Sequence, residues 1–160
     1  IGIPDCILKS LEEATRPSAV QCIANPIDSA GELQYFDGPS RARELIAATG
    51  KAGVGVLGIR PVQGGALTDT LDRDLPPEHG VVRDFNQTAG LRELASEMST
   101  STAALAHRYA MSMKGVETVV LGCKNRAELK ECVDAANAGN LDAAAMAVID
   151  AVVSDAIVRA

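Results

Sequence analysis

The sequence predicts an α/β fold built from parallel β-α units. Three short apolar segments, residues 19–23, 53–59 and 116–121, are typical of buried strands. Stretches in which apolar residues follow a helical spacing alternate with them along the chain. Because a helix between two strands carries the chain back to the starting edge of the sheet, this alternation indicates parallel strands.

The first third of the chain supplies one predicted strand between two predicted helices. A helix is expected over residues 4–14, where the apolar spacing is helical and a proline suits the first turn. The strand A-V-Q-C-I, residues 19–23, is stopped by the N-P pair that follows it. Residues 27–37 are expected to form a loop, and a second helix is expected from Pro39 to Gly50.

The middle of the chain contains a glycine-rich strand followed by a long surface segment. The strand G-V-G-V-L-G-I, residues 53–59, has glycines where another element is expected to pack closely. Residues 61–68 predict a turn that leads to a short helical segment. Residues 69–84 carry many charges and a Pro-Pro pair, which predicts a surface loop. Helices are expected over residues 85–98 and 102–113.

The last third of the chain begins with the third strand, residues 116–121, and continues with helices over 126–138 and 141–158. A closed barrel of eight β-α units takes about 250 residues. A chain of 160 residues is too short for one. The pattern therefore predicts a single unit over residues 1–160, either a small open sheet or half of such a barrel.

Charge and composition exclude several classes of function. The net charge is −6 and the pI is near 4.9, and no basic patch is present, which argues against a nucleic acid or an anionic membrane surface as a partner. No apolar run is long enough for a transmembrane helix, and no signal-peptide pattern opens the chain. The four cysteines form no C-x-x-C motif. We therefore expect a reduced cytoplasmic protein whose thiols are mostly small buried hydrophobes.

The stretch G-C-K-N-R-A-E-L-K-E, Gly122 to Glu131, has two interpretations. Asn125 is a good helix N-cap, and Glu128 three residues later completes a capping-box pattern. The free N–H groups of such a helix start, with Lys124 beside them, could bind a phosphate. The alternative is a well-capped helix with solvated charges, because the stretch lacks the G-K-[ST] ending of a P-loop.

Two further positions stand at or near strand ends. In I-R-P-V-Q-G-G-A-L-T, Gly64 and Gly65 would let the backbone approach a ligand, and parallel folds bind ligands at the carboxyl ends of strands. The alternative is a turn whose glycines only provide positive φ angles. Gln21 lies inside an apolar strand and must find a partner, either a ligand or a neighbouring side chain.

A reaction centre is hard to identify from the residues. His79 lies in a charged loop and is expected to be solvated, and His107 on a helix is more typical of a satisfied, partly buried group than of a catalyst. The sequence has no H-E-x-x-H, no G-x-S-x-G and no clustered zinc-ligand spacing. No general acid or base can be named from these patterns.

Four segments of the chain resemble, in the same order, four segments from the C-terminal half of aldo-keto reductases. V-Q-C-I-A-N-P resembles its sixth strand, and G-V-G-V-L-G-I-R-P-V-Q-G-G-A-L-T resembles its seventh strand and the following turn. L-R-E-L-A-S-E-M-S-T-S-T-A-A-L-A-H-R-Y resembles a helical stretch of the family. V-V-L-G-C-K-N-R-A-E-L-K-E-C resembles the eighth strand and the helix start after it. The resemblance covers nearly the whole chain and implies half of a (β/α)8 TIM barrel.

The resemblance also implies an oxidoreductase that reduces small aldehydes or ketones, or oxidises the alcohols, with NADPH or alternatively NADH. Gln21 matches the residue beneath the nicotinamide carboxamide, and Ile59 stands where an aromatic ring usually stacks. The other matching residues correspond to the family's turn over the pyrophosphate and to its stretch around the adenosine end of the cofactor. The implied cofactor-binding set is Gln21, Ile59, Arg60, Pro61, Gly65, Gly122, Cys123, Lys124, Asn125 and Glu131.

Three departures from the family limit what this chain is expected to do. Cys132 replaces an asparagine near the adenine, and Glu128 stands where some members have an arginine for the 2′-phosphate. The family's catalytic Asp, Tyr, Lys and His belong to strands two to four, which match no part of this chain. We therefore expect a cofactor-binding half, inactive alone, whose N-terminal half comes from the same precursor or another chain. The alternatives are a non-catalytic regulatory subunit that binds nucleotide and a half barrel that pairs with itself.

Overall fold

A computed structural model describes residues 3–33 and 39–159, and within them it contains seven α-helices and three strands. The helices are α1 (Pro4–Glu12), α2 (Ala42–Lys51), α3 (Gly80–Gln87), α4 (Ala89–Glu97), α5 (Thr102–Ser112), α6 (Arg126–Asn137) and α7 (Ala143–Arg159). The strands are β1 (Ala19–Ile23), β2 (Gly55–Ile59) and β3 (Thr118–Val119). A single 3-10 turn, Gln63–Gly65, follows β2.

The three strands form one parallel sheet in the order β1-β2-β3. Val20 is paired with Val56 and Gln21 with Leu57, and Gly58 is paired with Val119. Helices connect the successive strands, so the predicted α/β fold with parallel β-α units is confirmed. That the sheet is half of a barrel stays a prediction.

The two faces of the sheet have different environments. Cys22 and Val56 point into the main hydrophobic core, which they share with residues of α1, α2, α4, α5 and α7. Ile23, one residue after Cys22, and Ile59, three residues after Val56, belong to a separate small cluster with Ala42. Because side chains alternate along a strand, the first set lies under the helices and the second faces the opposite side.

The expectation of close packing against the glycines of β2 is confirmed at Gly58. A Cβ atom added there would lie 2.8 Å from Cβ of Ala24 and 2.9 Å from Cγ1 of Val116. Both distances are too short for real carbon contacts, so only glycine fits without a shift of the neighbours. The absent side chain therefore lets the chain on either side of β2 pack closely against it.

The third strand is shorter than predicted. Only Thr118 and Val119 form β3, whereas a strand was expected over residues 116–121. Val120 still donates its N–H to the carbonyl of Gly58, but Val120 and Leu121 are exposed large hydrophobic residues. Among the described residues β3 pairs only with β2, so nothing covers its other edge and the ladder ends early.

Helix boundaries differ from the sequence expectation where the backbone turns. Helix α2 begins at Ala42 and not at Pro39, because Arg41 has a φ of 51°, outside the helical region. Gly50 does not end α2, which continues to Lys51.

The predicted loop 69–84 and the predicted helix 85–98 were both wrong in their boundaries. Helix α3 already begins at Gly80, because the Nδ1 atom of His79 accepts a hydrogen bond from the amide of Val81 at 3.2 Å and caps it. His79 is therefore half-buried and bonded, not solvated. The chain bends at Thr88, which separates α3 from α4, and its hydroxyl donates to the carbonyl of Asp84 at 2.8 Å.

The thiols were expected to be mostly buried, but Cys6 and Cys123 are exposed and only Cys22 and Cys132 are buried. Residues 34–37 of the predicted loop lie outside the described residues. In the described ranges no helix combines the length and the apolar character that crossing a bilayer requires.

Candidate active-site cleft

The turn after β2 has an unusual backbone that brings glycines to one edge of the sheet. Arg60 and Gln63 have φ angles of 56° and 46°, and Gly64 and Gly65 have φ angles of 64° and 99°. The N–H of Gln63 donates to the carbonyl of Arg60 at 2.9 Å and tightens the turn. At Gly65 nothing lies within 4 Å of the position of a Cβ, so its backbone faces open space. This turn therefore presents bare backbone beyond the carboxyl end of β2.

A cleft of about 390 Å³ lies beside this turn, between the loop after it, α5 and the start of α6. Four of the ten predicted cofactor-binding residues line it: Gly65, Gly122, Lys124 and Glu131. They come from the ends of two neighbouring strands and from α6, far apart in sequence. A volume of this size falls within the range of about 300–1,000 Å³ that is usual for small-molecule sites.

The predicted capping box at the start of α6 is present with a changed partner. The Asn125 side chain accepts from the amide of Glu128 at 3.0 Å. The Glu128 carboxylate accepts from the amide of Lys124 at 2.8 Å, one residue before the N-cap that a standard capping box would use. A carboxylate therefore already occupies part of the anion-binding position of this helix start.

The loop 66–79 that follows the turn is held across the cleft by charged residues. The ammonium group of Lys124 forms an ion pair with Asp72. Arg73 donates to the carbonyl of Gly64 at 2.5 Å and lies 3.8 Å from a carboxylate oxygen of Glu32. The lysine predicted to bind a phosphate is thus engaged by an acidic residue of the predicted surface loop.

The lining of the cleft is more acidic than basic. Its four carboxylates outnumber its two cationic side chains; the residues are Glu32, Asp72, Glu128, Glu131, Arg73 and Lys124. Glu131, the residue expected near an adenine, also accepts a hydrogen bond from the hydroxyl of Ser101, the N-cap of α5, at 2.5 Å. An anionic ligand entering this cleft must therefore compete with protein carboxylates for the same donors.

Arg60 belongs to a buried polar network beside the cleft. Its side chain lies 3.3 Å from Glu32 and 3.2 Å from Oε1 of Gln63. The same Gln63 oxygen accepts from the amide of Asn25 at 3.0 Å, and the Gln63 amide donates to Asp84 at 3.2 Å. Burial raises the pKa of Asp84, and this hydrogen bond from Gln63 opposes the rise.

This network was not found from the sequence, although the N-P pair after β1 marks its position. Asn25 was interpreted only as a strand stop, yet its side chain is fully buried and donates to the carbonyl of Arg60 at 2.9 Å. It ties the ends of β1 and β2 to each other and to α3. The network therefore positions the turn that borders the cleft, since its donors and acceptors are paired across three elements.

Three predicted residues lie away from the cleft lining. Gln21 is half-buried on β1 and is paired with Leu57. Ile59 lies two residues after Leu57 and is therefore on the same sheet face as Gln21, as is its partner Ile23. Ile59 is 7% exposed and packs in the small cluster with Ile23. Pro61 is buried in the turn. The structure therefore does not bring these residues together with the Lys124 side of the site.

Cys123, Cys132 and His107 form a small group on one wall of the cleft. Cys123 and Asn125 flank the lining residue Lys124, and Sγ of Cys123 lies 3.8 Å from Sγ of Cys132. Nε2 of His107 lies 3.2 Å from Sγ of Cys132, and both side chains are buried. Burial lowers the pKa of His107 and raises the pKa of Cys132 to about 11. Within the described ranges no group of three or more His, Cys, Asp or Glu residues is arranged to hold a metal ion.

Comparison with known protein families identifies the family of this chain. A profile described as the Aldo/keto reductase family matches residues 5–154. The matched region contains β1, β2, β3 and every residue that lines the cleft. A search of curated individual proteins found no match.

Proposed function

The chain belongs to the aldo/keto reductase family, and from that premise we propose that it is the cofactor-binding part of an NAD(P)H-dependent oxidoreductase. The reaction would be reduction of small aldehydes or ketones, or oxidation of the corresponding alcohols. The observation that carries the proposal is the cleft in which Gly65, Gly122, Lys124 and Glu131 meet. These four residues come from two segments far apart in the sequence, and each segment resembles a cofactor-binding segment of the family.

The residues of the cleft fit the adenosine and phosphate end of a nicotinamide dinucleotide. Gly65 offers backbone that no side chain screens, and Lys124 offers a positive charge that can exchange Asp72 for a phosphate. Glu131 has a carboxylate that can accept from the amino group of an adenine. Gln21 and Ile59 would serve the nicotinamide end from the neighbouring sheet face. When bound, the cofactor supplies or accepts the hydride of the reaction.

The proposed preference between the two cofactors depends on two opposed charges. Lys124 supports NADPH, because a lysine attracts the additional 2′-phosphate. Glu128 opposes it, because its carboxylate already accepts from the Lys124 amide and would repel that phosphate. We expect both cofactors to bind, and NADPH to lack the advantage that the lysine alone would confer.

The proposed partner is the N-terminal half of a barrel, in the same precursor or on another chain. In the described part of the chain, β1 and β3 each pair with β2 alone, so both outer edges of the sheet are free. Val120, Leu121, Leu129 and Val133, at the β3 end and on α6, are exposed large hydrophobic residues. A closed barrel would pair both edges, and its other half would supply the catalytic Asp, Tyr, Lys and His of the family. The four free cysteines support a reducing compartment, which we propose to be the cytoplasm.

A titration of the purified chain with NADPH and with NADH tests the proposal. Nicotinamide fluorescence should change saturably for both cofactors. Lys124→Met should weaken NADPH binding about tenfold, the usual cost of losing one hydrogen bond to a charged group. Lys9→Met, which removes another exposed lysine, from α1, should leave binding unchanged. Absence of saturable binding for both cofactors would refute the proposal, and carbonyl reduction by the chain alone would refute the assignment of catalysis to a missing half.

One observation favours a second candidate function, a nucleotide-binding subunit without catalysis. Ile59 stands where the family usually stacks an aromatic ring on the nicotinamide, and its side chain is buried against Ile23. An aliphatic residue held in its own cluster gives no aromatic face to the cofactor. This candidate predicts nucleotide binding without carbonyl reduction even when the N-terminal half is present. Turnover by the completed barrel would exclude it.

A further inference from the structure

Two cysteines meet at the point where the chain leaves β3 and enters α6. Cys123 is exposed and lies in the irregular segment before α6, whereas Cys132 is buried on the inner side of that helix. Their sulfur atoms are 3.8 Å apart, and a disulfide bond is about 2.05 Å long. The two sulfurs therefore need to approach each other by about 1.8 Å.

A histidine is placed behind this pair without an evident structural purpose. Nε2 of His107 lies 3.2 Å from Sγ of Cys132, and the histidine is buried. Nδ1 of His107 is buried and has no hydrogen-bond partner, one of two such side-chain atoms among the described residues. A thiol is a weak hydrogen-bond partner, so the contact with Cys132 compensates little for the burial of the imidazole nitrogens. Its position is, however, suited to taking a proton from Cys132.

We propose that Cys123 and Cys132 are a modification site, at which a hydroperoxide converts the two thiols into a disulfide that weakens nucleotide binding in the adjacent cleft. The effect on binding rests on the proposed function, whereas the oxidation itself does not. His107 acts as a positioning and proton-accepting residue for the second thiol.

The reaction balances with the hydroperoxide as the oxidant. The Cys123 thiol gives up its proton and attacks the terminal peroxide oxygen, a sulfur–oxygen bond forms, the oxygen–oxygen bond breaks, and the leaving hydroxide or alkoxide takes up that proton and departs as water or an alcohol. Sγ of Cys132 then attacks the sulfenic sulfur of Cys123, the sulfur–sulfur bond forms, and the oxygen leaves as water. The proton of Cys132 passes to Nε2 of His107 and then to the departing hydroxide. The two thiols lose two electrons, which the peroxide accepts, and a small dithiol returns them when the bond is reduced.

The exposures of the two sulfurs decide their order of reaction. Cys123 is exposed, so a peroxide can reach it first. Burial keeps the pKa of Cys132 raised, at about 11, so this thiol reacts only when a base is at hand. Burial also lowers the pKa of His107, which keeps the imidazole neutral and able to accept a proton.

Closure of the disulfide would change the cleft because Cys123 lies between two lining residues. Gly122 and Lys124 precede and follow it, and Cys132 itself lines the cleft. Nothing lies within 4 Å of a Cβ position at Gly122, so the segment has room to shift. Moving Cys123 toward α6 carries the Lys124 amide and side chain with it. We expect about a tenfold weaker affinity for NADPH, the loss of about one charge-assisted hydrogen bond.

Peptide mapping after exposure to hydrogen peroxide tests the modification. Trypsin cuts after Lys124, Arg126 and Lys130, so residues 115–124 and 131–159 appear in one peptide pair only if Cys123 and Cys132 are joined. Intact mass should fall by two hydrogen atoms and return after dithiothreitol. Cys123→Ser and Cys132→Ser should abolish the joined pair, and Cys6→Ser, which removes the other exposed cysteine, should leave it intact. A Cys123 that accumulates as sulfinic acid, or a joined pair that involves Cys6, would overturn the proposal.

The role of His107 and the effect on nucleotide have separate readouts. His107→Gln should slow disulfide formation about tenfold or more and remove its dependence on pH near the histidine pKa, with the same final product. Unchanged kinetics and pH dependence would refute the proton-accepting role. If the reduced chain binds NADPH but no disulfide forms, the inference fails alone. If the disulfide forms but the reduced chain binds neither cofactor, the proposed function fails while the modification site stands; equal NADPH affinity in both redox forms would refute the effect on binding.

Discussion

Glu128 is the residue whose replacement tests the electrostatics of the cleft most directly. The Glu128→Gln substitution removes a negative charge and keeps an oxygen that can accept from the Lys124 amide, now at 2.8 Å from the carboxylate. The amide of Glu128 itself remains bonded to Asn125. The start of α6 should therefore keep its geometry, and the change in binding should come from charge.

The expected change in NADPH affinity follows from the distance between a bound 2′-phosphate and the Glu128 carboxylate. Two unit charges about 5 Å apart interact by about 0.8 kcal/mol in bulk water and about 3 kcal/mol at an effective dielectric constant of 20. Lys124 and Asn125 are exposed, so a value near 1 kcal/mol per unit charge is appropriate. A phosphate monoester carries a charge of about −1.5 to −2, which gives about 1.5–2 kcal/mol. The dissociation constant for NADPH should fall by about tenfold or more.

NADH provides the internal comparison, because it lacks the 2′-phosphate. Titrations of the wild-type chain and the variant with both cofactors, at low and at high salt, measure the selectivity. The dissociation constant for NADH should change by less than about twofold, and the gain for NADPH should shrink at high salt because screening shortens the range of the repulsion. Glu97→Gln, which removes the same charge from an exposed position at the end of α4, should change neither constant.

Two results would refute this reasoning. An unchanged NADPH affinity in Glu128→Gln would mean that the 2′-phosphate does not approach the start of α6. An equal gain for NADPH and NADH would mean that Glu128 acts on a part of the ligand that both share. Circular dichroism and the melting temperature of the variant should match those of the wild type, so that either result reports on the site and not on a lost helix.

The remaining predictions concern assembly, packing and pH. The chain alone should sediment as a dimer or larger species because both outer sheet edges are unpaired among the described residues, and a stable monomer in analytical ultracentrifugation would contradict this. Gly58→Ala should lower the free energy of unfolding by about 1–3 kcal/mol through its contact with Ala24, whereas Gly50→Ala, at an open helical position, should raise it by about 0.5–1 kcal/mol; equal effects in urea unfolding would refute the packing argument. Because burial lowers the pKa of His107, the wild type should lose stability as pH falls below about 6.5, where the unfolded histidine gains its proton first; His107→Gln should flatten this loss, and parallel pH profiles of the two proteins would contradict it.

Local sequence signals were sufficient for the elements whose stabilising contacts are also local. The strand over residues 19–23 was predicted with its observed bounds, because apolar β-formers are followed at once by a chain-stopping N-P pair. The start of α6 was predicted at Arg126, because Asn125 and Glu128 cap it within one turn. In both cases the residues that decide the structure are neighbours in the chain, so their pattern is visible without a fold.

Boundaries set by distant residues could not be predicted in this way. The third strand is short because only β2 pairs with it among the described residues, and pairing is a property of the sheet and not of residues 116–121. The bend at Thr88 depends on its hydroxyl bonding to Asp84, which lies in a segment that was predicted as loop. Propensity is a weak guide where a side chain bonds the backbone and competes with the helix.

In the cleft, too, some properties follow from neighbouring residues and others from residues that only the fold brings together. The sequence determined which residue types were available for a nucleotide site, since glycines, a lysine and a capped helix start follow strand ends in the chain. Tertiary structure alone decided that Asp72 reaches Lys124, that Glu128 occupies the Lys124 amide, and that Cys123 meets Cys132 in front of His107. Charges and thiols act over a few ångströms, and only the folded chain sets those distances.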